Sequence, residues 1–119
     1  MSSGTLFIRV HDVENLQCVS GCAYGSGQPY IKLFCGADVR RTRRLKGPTE
    51  KVEQNLIFPN ARADDYLMLA AFDGRGVNKV AIGNLSIPLM DVVSSRDLSV
   101  DRDLEGCQAG RVKITLSWR

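Results

Sequence analysis

Gly25-Ser26-Gly27-Gln28-Pro29-Tyr30-Ile31-Lys32-Leu33-Phe34 begins as a turn-prone run and ends as a strand. Glycine and serine favour turns. Pro29 has a fixed φ and no N–H, so it belongs at the first position of a strand rather than inside one. From Tyr30 onward the residues are β-formers, with Lys32 set among them. The stretch therefore marks where a loop delivers the chain into a sheet.

Working outward, Gly36-Ala37-Asp38 is a short turn and predicts a hairpin with residues 39–46 as its second arm. That arm carries Arg40, Arg41, Arg43, Arg44 and Lys46 before Gly47-Pro48-Thr49 breaks it. Upstream, Leu6, Ile8 and Val10 alternate with Phe7, Arg9 and His11, the period of a half-buried strand. Residues 12–16 leave that strand, and 17–28 form a long loop. Downstream, 52–58 read as a strand ended by Pro59-Asn60, and the nearly all-apolar 66–72 as a buried central strand. A Gly-rich loop covers 73–79. A strand broken around Gly83 follows over 80–87, then a helical turn at 88–93 and a weak strand over 98–104. In the last strand Val112, Ile114, Leu116 and Trp118 alternate with Lys113, Thr115, Ser117 and Arg119, which puts Trp118 in the core. Short strands, frequent turns and little helix predict an all-β fold, an eight-stranded antiparallel β-sandwich.

A length of 119 residues fits one domain, with its core from Gly4 to Arg119 and residues 1–3 outside it. No apolar run reaches the roughly 18 residues of a membrane span. The N-terminus lacks the basic-then-apolar design of a secretory signal, so a cytoplasmic location is expected. Cys18, Cys22, Cys35 and Cys107 are then free thiols. A zinc site at Cys18 and Cys22 is disfavoured, because His11 is the only histidine and no second close pair exists. No nucleophile–base arrangement supports an enzyme. The net charge of +3 is modest, but five of the chain's cations crowd into residues 40–46 and point to an anionic partner at one place.

The chain resembles the C2 domain, a calcium- and lipid-binding β-sandwich module. The family's first calcium loop reads Gly-x-Ser-Asp-Pro-Tyr; here Gly25-Ser26-Gly27-Gln28-Pro29-Tyr30 keeps the Pro-Tyr and places Gln28 at the aspartate. Gly4-Thr5-Leu6-Phe7-Ile8-Arg9-Val10 matches the opening pattern, and Asn15-Leu16 precedes the first loop. Leu67-Met68-Leu69-Ala70-Ala71-Phe72-Asp73 looks like the strand entering the third loop, and Ile82-Gly83 like the pair that leaves it. The resemblance covers essentially the whole chain. The order of the motifs implies the second, circularly permuted topology (type II), with both termini at the end away from the calcium loops.

Calcium takes 6–8 oxygen ligands. The family positions fall at Cys22, Gln28, Asp73, Arg75 and Lys79 or Val80, where one carboxylate remains and two cations have replaced others. The resemblance therefore implies no metal site and no cofactor, with Asp73 read as a turn residue before Gly74. In many C2 domains cations of the concave sheet bind anionic headgroups. Carried over, the site would comprise Tyr30, Lys32 and members of the group Arg40, Arg41, Arg43, Arg44 and Lys46, with loop contacts from Arg75 and Lys79. Strand alternation sends Arg41 and Arg43 to one face and Arg40 and Arg44 to the other. Thr42 in the family pattern faces inward, which selects Arg41 and Arg43 for the concave face.

Near an anionic membrane each cation contributes about 1 kcal/mol. Five give roughly 5 kcal/mol, a dissociation constant between about 0.1 and 1 mM, so recruitment needs help from the rest of a larger parent protein. The expected function is calcium-independent recruitment to anionic phospholipid, placing the protein at the membrane periphery when bound. The alternative is a scaffold C2 domain that meets a protein partner and no lipid. A solvated, charge-protected edge strand also fits the basic run. Nucleic acid fits less well, because no aromatic stacking platform accompanies the cations.

Overall fold

A computed structural model describes residues 3–16, 28–74, 80–106 and 110–119. Eight strands and one short helix follow one another as β1 (Ser3–Glu14), β2 (Tyr30–Cys35), β3 (Asp38–Arg41), β4 (Glu50–Arg62), β5 (Tyr66–Asp73), β6 (Val80–Pro88), α1 (Leu89–Ser95), β7 (Asp97–Asp103) and β8 (Arg111–Trp118). They form two four-stranded sheets in the orders β4-β1-β8-β7 and β3-β2-β5-β6, with every pairing antiparallel. The all-β sandwich expected from the strand periods is the fold observed. First and last strands lie side by side in the first sheet. Their outer ends are tied by Thr5 N–H to the Arg119 carbonyl at 2.7 Å and Arg119 N–H to the Thr5 carbonyl at 3.0 Å. This is the strand order of the permuted topology.

The core is the set of inward positions that the period of two selects. Leu6, Ile8, Val10 and Val13 of β1 stand opposite Trp118, Leu116, Ile114 and Val112 of β8 within the sheet, and Ile31, Leu33, Leu67, Leu69, Leu85 and Ile87 supply the opposite wall. Trp118 is 6% exposed and belongs to this core. Gly4 makes room for it: a Cβ there would stand 2.8 Å from the indole and 2.9 Å from the Arg119 carbonyl. Pro88 caps α1, which buries Leu89 and Val92.

Four sequence expectations need correction. The strand expected over 39–46 ends at Arg41. Thr42 is buried, and its hydroxyl accepts the Ile31 N–H at 3.0 Å, taking a bond the ladder would have used. Residues 42–45 still follow β2 loosely, through Thr42 N–H to the Ile31 carbonyl and Leu45 N–H to the Pro29 carbonyl. Second, Pro59 and Asn60 do not end β4. They fall in the register shift opposite Thr5, between the pairs Gly4↔Ala61 and Leu6↔Phe58, on an edge strand where a missing N–H disrupts little. Third, β5 is buried on one face only: Tyr66 is 57% and Met68 49% exposed. Fourth, β1 runs on to Glu14 and so takes in the first three of the residues, 12–16, expected to leave it. The break expected around Gly83 is a bulge, since Ala71 pairs with Gly83 but Phe72 with Ala81.

Candidate functional site

The outer face of the second sheet is built by alternate residues of its strands. Tyr30, Lys32 and Phe34 project from β2 and Tyr66, Met68, Ala70 and Phe72 from β5, while Ile31, Leu33, Leu67 and Leu69 point inward. Tyr30 is opposite Phe72, with ring centres 5.8 Å apart.

Two arginines converge on Tyr30. The Arg41 guanidinium lies 4.5 Å from its ring centre and that of Arg44 4.7 Å, which accounts for the burial of the tyrosine. Arg44 also donates from Nη1 to the Gly74 carbonyl at 2.7 Å. Lys32, opposite Arg41 in the ladder, places its Nζ 5.9 Å from the Phe72 ring centre. Cations on aromatic faces keep most of their N–H donors available, because a ring is not a hydrogen-bond acceptor of carboxylate strength. Among the described residues the ion-paired cations are Arg43, Arg62 and Arg111, so Lys32, Arg41 and Arg44 have no carboxylate partner there.

The face assignment from alternation is therefore wrong in one pair. Arg41 and Arg44 share a site; Arg43 does not join them. Inward-facing Thr42 and Leu45 are three positions apart, so two residues stand where a strand has one. Arg43 swings toward β4, pairs with Glu50 at 2.5 Å and donates to the Val52 carbonyl at 3.1 Å. Lys46 N–H also donates to Glu50, at 2.8 Å. The Arg43 hydrogen bond, then the Lys46 N–H, hold the Glu50 carboxyl below its ordinary range. Arg40 closes the gap between the sheets, its Nε donating to the Ile57 carbonyl at 3.1 Å and its guanidinium 5.2 Å from the Phe58 ring centre.

At the calcium positions of the family, Gln28 donates its N–H to Asp73 Oδ1 at 3.3 Å, and Asp73 is 4% exposed. Asp73, expected as a turn residue before Gly74, is thus also a buried link between two loop ends. Cys22, Arg75 and Lys79 lie outside the described residues. Among the described residues no three His, Cys, Asp or Glu side chains gather as metal ligands. Cys35 is a buried free thiol, raised in pKa by burial first and then by Asp65 and Asp38. Among the described residues no helix is long and apolar enough to cross a membrane.

Solved structures share this fold. The fragment of extended-synaptotagmin 2 that holds its two tandem C2 domains superposes with a TM-score of 0.83 at 21% identity, over 97% of this chain and 40% of that one. This chain has the C2 fold. The calcium-bound form of the same fragment matches at a TM-score of 0.82 and 22% identity, over 97% and 45%. A single C2 domain of plant extended synaptotagmin 1 matches at 0.76 and 16%, over 98% of this chain and 94% of that domain. The chain spans 27% to 45% of the extended-synaptotagmin 2 chains it matches. No protein-family model and no curated protein matches the sequence.

Proposed function

We propose that this chain is a calcium-independent C2 module that recruits a larger cytoplasmic protein to anionic phospholipid. The observation that carries the reading is the convergence of Arg41 and Arg44 on Tyr30, with Lys32 beside them and no carboxylate partner among the described residues. Two guanidiniums fixed against one ring present a preorganised set of donors, which match phosphate oxygens in pairs. Calcium independence is supported by Gln28 at the family's aspartate position and by the use of Asp73 as a hydrogen-bond acceptor inside the protein.

The test is vesicle cosedimentation with phosphatidylcholine alone, with added phosphatidylserine, and with added phosphoinositide, each in calcium and in chelator. Binding should follow anionic lipid content, be equal in calcium and chelator, and weaken with salt, since screening acts over about 8 Å at physiological ionic strength. No binding to any anionic vesicle at low salt would overturn the reading. Millimolar calcium should also leave the Tm unchanged, because a ligand stabilises a fold by RT ln(1 + [L]/Kd), which vanishes where nothing binds.

A further inference from the structure

Beside the arginines the same sheet face carries apolar surface. Val39 is 46% and Met68 49% exposed, and the ladder places them on either side of Phe34 as a row across three strands. The next row reads Arg41, Lys32, Ala70, Asn84. At Ala70 the row drops to one methyl between the larger side chains of Met68 and Phe72. A cleft of about 430 Å³ opens there, in the size range of ligand pockets. Its far wall is fixed by Asn84 and Glu105, which exchange backbone hydrogen bonds of 2.9 and 2.7 Å.

We infer that this cleft docks a segment of a partner protein in which an apolar side chain is followed, two residues on, by a carboxylate. The anchor fills the space over Ala70. Strands are about 4.8 Å apart, so Lys32 lies one strand away and Arg41 roughly 10 Å away; two residues beyond the anchor an extended peptide has advanced about 6.6 Å and again turns its side chain to the sheet, between the two cations. The Asn84 amide, on the other side, offers a donor and an acceptor to the peptide backbone. Charge complementarity selects an acidic partner. The one-residue depression selects a polypeptide, because a bilayer surface offers no fixed side chain to fill it. The inference stands apart from the lipid reading, although Lys32 and Arg41 serve both.

The test uses the intact chain and a fluorescein-labelled peptide, Ser-Leu-Gly-Asp-Glu-Ser, with two controls: leucine replaced by glycine, and both acids replaced by their amides. Fluorescence anisotropy at low salt should show saturable binding of the first peptide and at least about tenfold weaker binding of either control. Ala70→Leu, which fills the cleft, should weaken peptide binding about tenfold, equivalent to about 1.4 kcal/mol, while binding to anionic vesicles stays unchanged. Lys32→Gln, a substitution on an outward position, should weaken the acidic peptide but not its amide control. Absence of peptide binding by the unaltered chain, or equal binding of peptide and controls, would overturn the inference. Loss of vesicle binding in Ala70→Leu with peptide binding intact would also overturn it, and would give this face to the membrane.

Discussion

The outer faces of the two sheets carry similar residue types and use them differently. On the β4-β1-β8-β7 face, polar groups answer one another. Arg9 Nη1 donates to Asn55 Oδ1 at 3.1 Å, His11 Nε2 and Thr115 Oγ1 are 2.5 Å apart, and Ser117 donates to Asp97 at 2.7 Å. Arg111 is held by Asp101 and Asp103 at 2.6 and 3.3 Å. The hollow of about 420 Å³ on this face is lined by several of these satisfied groups. On the β3-β2-β5-β6 face, Arg41, Arg44 and Lys32 rest on rings and leave donors over. What separates the two faces is whether the cations have carboxylates or rings for neighbours.

The contrast predicts that damage to the first sheet costs stability and damage to the second costs binding. The largest expected effect is Trp118→Ala, which should destabilise by about 3–5 kcal/mol in urea unfolding, the range for emptying a core aromatic site. The folded fraction should still bind anionic vesicles; loss of binding without loss of stability would break the division. Next, Arg41→Glu with Arg44→Glu should weaken vesicle binding at least about thirtyfold, from about 1 kcal/mol for each cation removed, with little change in Tm. Arg40→Glu with Arg43→Glu should do the reverse, since those side chains hold β4. Equal losses from the two double variants would mean a diffuse patch. A smaller effect concerns acid. Glu50 is lowered in pKa in the folded state, so its contribution is present above the ordinary carboxylate range and lost as pH falls through the folded value. Glu50→Gln should therefore flatten the acid limb of a Tm–pH profile. The smallest concerns Cys35, whose raised thiol pKa and burial should make alkylation at neutral pH slow until the protein is unfolded.

Much of this is legible in the residues, because burial on one side of a strand writes itself as a period of two. β8 shows it without interruption, and β1 shows it from Leu6 to Val10. The third strand reads too long because arginines carry no burial signal, and in 39–46 the informative pair is Thr42 and Leu45. Their spacing of three cannot both face inward from a regular strand, and it would place Arg44, rather than Arg43, with Arg41. Pro59 looks like an end because nothing local reveals an edge strand with a bulge. The apolar run of β5 reads as buried throughout, which hides Met68 and the gap at Ala70. A period-two test is silent when both faces are apolar, and only the second sheet's lack of a covering layer shows which of them is open. Tyr30 and Lys32 follow from their place after Pro29; Phe72, their neighbour across the ladder, does not, since pairing is not a local property.

The bonded outer ends of β1 and β8 bear on how the domain would behave under tension. A chain entering at Ser3 and leaving at Arg119 is attached at two neighbouring points of antiparallel strands. A force drawing those points apart acts across the ladder, and it loads the Thr5–Arg119 bonds first and the pairs beyond them in turn. The two strands would open like a zipper, not shear as a block. Such a domain yields at lower force than one pulled from opposite ends, and its lifetime under load is governed by the rate of unfolding rather than by equilibrium stability.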